Sequence, residues 1–271
     1  MLNVVSGVKW ALILTMLLLK TTGWAQDFEV APITLNFAVE PGEMESQIIT
    51  VRNHGNKPES FVLALGDTKK NSRGKSIKVA PGTTARSCAD WITLNPSFFE
   101  LAPSEAKEIE VLMQVPPSGE SSRWGVIYVK IAREQSALEV DKIVAAGITV
   151  SPRIVVNVYQ SPASNAKYFA KISKLVEVSN PQDSLRVFNV EIENTGDKRI
   201  DCKLYLVASN LETASESKTS PVRITMLPEE IRVVELKLPA NLSPGPYSLA
   251  AILDYGHRTN LEAVQLQINI K

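Results

Sequence analysis

Beyond residue 26 the chain alternates apolar and polar residues with a period of two, and helical periodicity is nearly absent. Residues 46–52 read Ser-Gln-Ile-Ile-Thr-Val-Arg, residues 59–65 Glu-Ser-Phe-Val-Leu-Ala-Leu, and residues 108–115 Glu-Ile-Glu-Val-Leu-Met-Gln-Val. Longer strands are expected over 124–132 and 148–159. Turn formers separate them: Pro41-Gly42, His54-Gly55-Asn56, Ser72-Arg73-Gly74, Pro81-Gly82 and Pro116-Pro117-Ser118-Gly119. The second half gives candidate strands at 169–178, 185–193, 201–208, 222–226, 232–238, 247–255 and 261–270. Ser161-Pro162-Ala163-Ser164-Asn165-Ala166 between the halves is small and polar, as a linker is.

The halves also share punctuation. Val51-Arg52-Asn53-His54-Gly55-Asn56-Lys57 matches Ile192-Glu193-Asn194-Thr195-Gly196-Asp197-Lys198. Asn and Gly both tolerate positive φ, so each copy suits a tight connection between strands. Leu101-Ala102-Pro103 and Leu227-Pro228-Glu229-Glu230 each precede an alternating strand that ends at a proline, and Trp124-Gly125 and Gly245-Pro246-Tyr247 each open another. Seven short strands is the usual number for an immunoglobulin-like domain. The expected fold class is therefore all-β: two tandem immunoglobulin-like β-sandwich domains, over 26–160 and 167–271, joined by a linker at 161–166.

The first 25 residues read differently. Lys9 precedes an apolar run from Trp10 to Leu19, and Gly23 and Ala25 are small residues placed for a cut before Gln26. That is a cleavable signal peptide, with an apolar run too short to span a bilayer. The expectation is a periplasmic or extracellular protein of 271 − 25 = 246 residues with no stable membrane insertion after cleavage. Removing two lysines leaves a charge of 27 − 29 = −2, which offers no electrostatic case for nucleic acid. Export permits a disulfide between Cys88 and Cys202, but they lie 114 positions apart and in different expected domains, and two free, partly buried thiols are the preferred reading.

Chemistry has few footholds. His54 and His257 are the only histidines, each beside a turn. No Gly-x-Ser-x-Gly elbow and no His-Glu-x-x-His pattern occur. Gly74-Lys75-Ser76 echoes the end of a phosphate loop but lacks its earlier glycine, and reads as a hairpin tip. No catalytic residue, cofactor or metal site is expected. Trp91, Trp124, Tyr128 and the Phe98-Phe99 pair are either core or the lining of a peptide or carbohydrate site.

The stretch 28–162 resembles the periplasmic pilus-assembly chaperones and related bacterial immunoglobulin-like surface proteins. Pro41-Gly42-Glu43 before an alternating strand, Trp91-Ile92-Thr93-Leu94-Asn95-Pro96 with Leu101-Ala102-Pro103-Ser104, the strand Arg123 to Lys130, and Arg153 to Tyr159 followed by Pro162 carry the resemblance. It implies a non-enzymatic protein that binds an exported partner, such as a pilin-like or surface subunit, by lending its last first-domain strand to that partner's sheet. The alternative is a structural or adhesive component of an envelope complex. In such chaperones a basic pair in the cleft holds the partner's terminal carboxylate. Here the first strand, Ile33-Thr34-Leu35-Asn36-Phe37, has no Arg or Lys, and Arg153 is the candidate for the other member. The expected partner-binding residues are Ile148, Val150, Arg153, Ile154, Val156 and Val158, on a strand interrupted by Pro152, which cannot donate to a ladder. The same pattern also fits a core-facing strand with a bulge.

Overall fold

The computed structural model describes residues 27–132, 153–180, 185–238, 242–256 and 261–270. They form two tandem immunoglobulin-like β-sandwiches. The first contains β1 (Phe28–Ala31), β2 (Thr34–Phe37), β3 (Met44–Asn53), β4 (Glu59–Lys70), β5 (Ser76–Val79), β6 (Ile92–Asn95), β7 (Phe98–Leu101), β8 (Ala106–Gln114), β9 (Arg123–Ile131) and β10 (Arg153–Gln160). One sheet runs β1-β3-β8-β6, the other β2-β10-β9-β4-β5, with β7 also paired to β4. Pro32 ends the pairing of β1 with β3, and the chain crosses to lie parallel to β10 as β2. The sheets enclose Phe28, Phe61 and Phe99, whose rings stand 5.3 and 5.7 Å apart in succession.

The second sandwich contains β11 (Lys171–Glu177), β12 (Arg186–Glu193), β13 (Ile200–Asn210), β14 (Glu216–Lys218), β15 (Val222–Met226), β16 (Ile231–Leu238), β17 (Gly245–Asp254) and β18 (Leu261–Ile270). Its sheets run β11-β12-β16 and β14-β13-β17-β18, with β15 on β13. A separate core gathers around Phe188, Ile192, Leu204 and Leu249. Cys88 lies in the first core and Cys202 in the second, both as buried free thiols. Burial pushes each thiol up to about 12.

The repeated motif builds the same turn twice. Asn53 Nδ2 donates to Lys57 O at 2.9 Å and Gly55 N donates to Asn53 Oδ1 at 2.8 Å. Asn194 Nδ2 donates to Lys198 O at 2.8 Å and Gly196 N to Asn194 Oδ1 at 3.0 Å. Both asparagines are completely buried. Their remaining side-chain bonds reach the connection that carries the other shared motif: Leu101 O and Ala102 O from Asn53, and Met226 O, just before the motif, from Asn194. That motif repeats too. Glu105 and Glu230 each accept from the backbone N–H three residues back, at 2.7 and 2.8 Å, and Ser104 and Glu229 sit at φ 65° and 64°.

One strand is longer than expected, and another is described only in part. β4, expected over residues 59–65, continues five residues further, through Gly66-Asp67 to Lys70. Tyr128 lies across Gly66, leaving no room for a Cβ there, and the Asp67 carboxylate is inside, accepting from Ser87 Oγ at 2.8 Å and Thr84 N at 3.3 Å. The strand expected over 148–159 is observed from Arg153 to Gln160, and Ile148, Val150 and Pro152 lie outside the described residues. Gly74-Lys75-Ser76 does form a hairpin tip, with Asn71 N bonded to Lys75 O at 3.1 Å. His54 forms an exposed pair with Glu29 at 2.8 Å, and His257 lies outside the described residues.

Candidate partner-binding face

The register of the larger first-domain sheet decides which side chains share its outer face. β10 pairs antiparallel with β9, so Arg153 stands opposite Lys130, Val155 opposite Tyr128, Asn157 opposite Val126 and Tyr159 opposite Trp124. Across β9, Val62 stands opposite Lys130, Ala64 opposite Tyr128 and Gly66 opposite Val126. Phe98 of β7 extends the first row beyond Val62 and is 61% exposed. The face thus has an apolar floor and a basic end. Phe99, the neighbour of Phe98, points inward and is buried, so the pair divides between site and core.

The opposite parity of β10 faces inward. Val156 and Val158 are completely buried in the first core, where their side chains serve packing, and Ile154 packs against the same core. Arg153 is exposed at the strand's start. What β10 leaves open is backbone. β2 covers only Asn157 to Gln160, and Asn157 N donates to Ile33 O at 2.9 Å. N–H and C=O groups alternate sides along a strand, so those of Arg153 and Val155 point the same way as Asn157's. No bond from the described residues meets them.

The other end of the face runs into the second sandwich. Trp124 lines a cleft of roughly 380 Å³ together with Lys70, Arg86, Leu227 and Glu230. Arg86 reaches across: Nη2 lies 2.6 Å from Glu229 Oε1 and Nη1 bonds Asp197 Oδ1. Burial works against the Arg86 charge, yet the bonds from Glu229 and Asp197 outweigh it and hold the guanidinium above its ordinary value. Asp197 also accepts from Ser122 N at 3.2 Å and Asn165 Nδ2 at 2.7 Å, which pins the chain segment between the sandwiches. Ser164 is held by Glu40 through both its N–H and its hydroxyl. At the hairpin tip, Ser72 O accepts from Val233 N at 3.1 Å, and Gly74 leaves space that the Arg232 guanidinium fills.

Arg199, which the sequence does not mark out, stacks 4.5 Å from the Tyr159 ring and donates to Asn36 Oδ1 at 3.0 Å. Burial raises the Tyr159 phenol, opposed by Arg199. A basic group therefore reaches the first strand from the second sandwich. Arg153 lies four residues before the section of β10 that β2 covers, so the two positions considered for a basic pair stand apart.

The chain is similar to solved fimbrial chaperones. No protein-family model matches it, and no curated protein does. A chaperone–tip adhesin complex of CFA/I fimbriae aligns over 89% of this chain and 98% of its own, at 14% identity and a TM-score of 0.49. The class 5 fimbriae chaperone CfaA aligns over the same shares at 12% identity and a TM-score of 0.47. The CsuC–CsuE pre-assembly complex of Acinetobacter baumannii aligns over 78% of this chain and 90% of its own, at 12% identity and a TM-score of 0.43. Among the described residues no three His, Cys, Asp or Glu side chains converge as a metal site, and no helix is long and apolar enough to cross a membrane.

Proposed function

We propose that this is an exported, non-enzymatic, chaperone-like protein that holds another exported polypeptide, a pilin-like or surface subunit, by strand addition at β10. One observation carries the reading. The outward N–H and C=O groups of Arg153 and Val155 lack partners among the described residues, on a strand that is otherwise fully laddered. An unpaired strand edge is a template for another chain, and the main chain supplies affinity while neighbouring side chains select the occupant. The inward set, Ile154, Val156 and Val158, keeps β10 seated in its own core and so holds the edge straight. In the bound form Ile148, Val150 and Arg153 flank the added strand. Residues 1–25 direct export and are removed before Gln26.

Val155→Pro tests this reading. It deletes one outward donor and blocks close approach of a strand, while leaving the bonds to β9, which come from the alternate residues. Wild-type protein recovered from the envelope carries one subunit per chain, and the Val155 amide becomes protected from hydrogen exchange in that complex. The proline variant emerges without subunit and melts within a few degrees of wild type. Equal recovery of subunit by both proteins would remove strand addition from the account. Recovery in a large multi-protein assembly would favour a structural envelope component instead.

A further inference from the structure

Tyr128 stands at the basic end of the outer face with three cations over its ring. Lys78 Nζ is 5.3 Å from the centroid, Arg153 Cζ 5.2 Å and Lys130 Nζ 5.9 Å. They come from three strands: Lys78 from β5, Lys130 from β9 and Arg153 from β10. Cation–π attraction explains how each is held, but it does nothing to neutralise three like charges brought together. Among the described residues none of the three side chains has an ion pair or a hydrogen bond. The phenol hydroxyl beneath them is buried and also lacks a partner, in a residue only 8% exposed. Burial, then the nearby Asp67 charge, raises the phenol above its ordinary value, so it stays protonated and available as a donor. Lysine and arginine have donors and no acceptor. Four donor groups therefore converge where the described residues supply no acceptor to meet them.

The cluster is built into the fold. Gly66 is what lets the Tyr128 ring lie flat across β4, since a Cβ there would collide with the ring. Register places Lys130 beside Arg153, and Val155 beside Tyr128, so the cluster adjoins the open backbone of residues 153–155. A chain added at that edge would pass its side chains directly over the cations.

We propose that the Tyr128–Lys78–Lys130–Arg153 cluster selects partner segments carrying a carboxylate, so that the added strand is an acidic one. This rests on the strand-addition reading above and names the chemistry of its occupant. Charge-assisted bonds from ammonium and guanidinium groups to a carboxylate are stronger than neutral ones, and opposite charge also speeds encounter.

The test uses the protein as purified from the envelope fraction and two fluorescein-labelled extended peptides of about ten residues, the length of a long strand. Both alternate valine with polar residues. One carries two glutamates at polar positions and the other two glutamines. The glutamate peptide binds about tenfold more tightly at low salt, and about 1 M salt removes that advantage by screening. In Lys78→Gln/Lys130→Gln the advantage disappears while the melt stays at the wild-type temperature. Equal affinities of the two peptides for wild type would overturn the inference and leave strand addition standing. That holds whether the cluster then faces a second copy of the chain or the chain's own Glu134, Glu139 and Asp141. Binding of neither peptide would overturn strand addition itself, and this inference with it.

Discussion

Asn53 in the first sandwich and Asn194 in the second hold the same turn with the same bonds, and the turns differ in what they carry outward. In the first, the positions matching Asp197 and Glu229 are Asn56 and Ser104, both exposed to solvent. In the second they are the two acids that grip Arg86. The shared bonds are what a sandwich needs at that corner, because a buried asparagine closes the turn and satisfies carbonyls of the neighbouring connection at once. The outer residues are free of that duty. One copy leaves them in water, and the other uses them to fix the position of its neighbour.

The comparison implies two cores that hold independently and a junction that couples them. Phe61→Ala and Phe188→Ala each remove a ring from the middle of one core, at a cost of about 3–5 kcal/mol. Cys88 and Cys202 report on the halves separately, since each thiol is buried in one core and held unreactive by its raised pKa. Phe61→Ala should expose Cys88 to a thiol reagent well before Cys202, and Phe188→Ala the reverse. Simultaneous labelling in both variants would mean one cooperative body. Expression of 26–160 and 167–271 as separate chains checks the proposed boundary by whether each half melts cooperatively.

A smaller effect is expected at the junction. Arg86→Ala leaves Asp197 largely buried without its cation, at about 3 kcal/mol, the low end for a buried pair, since both side chains keep some exposure. Calorimetry should then separate the transitions of the two halves further than in wild type. Glu229→Ala should cost under about 1 kcal/mol, because that carboxylate is 72% exposed. If the two substitutions cost the same, the coupling does not run through Asp197.

Acid gives the smallest difference. In the second sandwich Arg186 donates to both oxygens of Glu177 at 2.6 Å, and those bonds hold the carboxyl below its ordinary value. A lowered folded pKa stabilises above the unfolded value, and that contribution is lost as pH falls through the folded one. Among the described residues, the ion pairs within the first sandwich are His54–Glu29, exposed on both sides, and Lys57–Glu59, whose lysine is 74% exposed. Below about pH 4 the second half should therefore lose stability faster, as read by Cys202 labelling, and Glu177→Gln should flatten that part of the profile. An unchanged profile would assign the acid sensitivity to other groups.

Much of the fold is legible because alternation survives wherever one face meets a core and the other meets water, as in β3, β8 and β12. It fails where both faces are covered. Val126 to Val129 of β9 are apolar and buried without a break, so parity cannot tell that Tyr128 belongs to the outer face and Ile127 to the core. The four-residue strands β1, β2 and β7 are too short to show a period. Arg153 is visible as a lone charge in an apolar strand, but Lys78 and Lys130 look like ordinary surface lysines until the register brings them to one ring. Arg86 gives no signal either, since its partners lie 111 and 143 positions away.

The β4–β5 hairpin has a mechanical consequence. A single connecting segment would act as a pivot and allow rotation about any axis through it. Here the sandwiches touch at the pinned residues 161–165, at Arg86, at Arg199 and at the Ser72–Val233 bond of the hairpin tip. Bonds at separate places resist rotation about any one of them. On the strand-addition proposal, the angle between the sandwiches would act as a fixed caliper that gauges a guest along β10 by its width as well as by its charge.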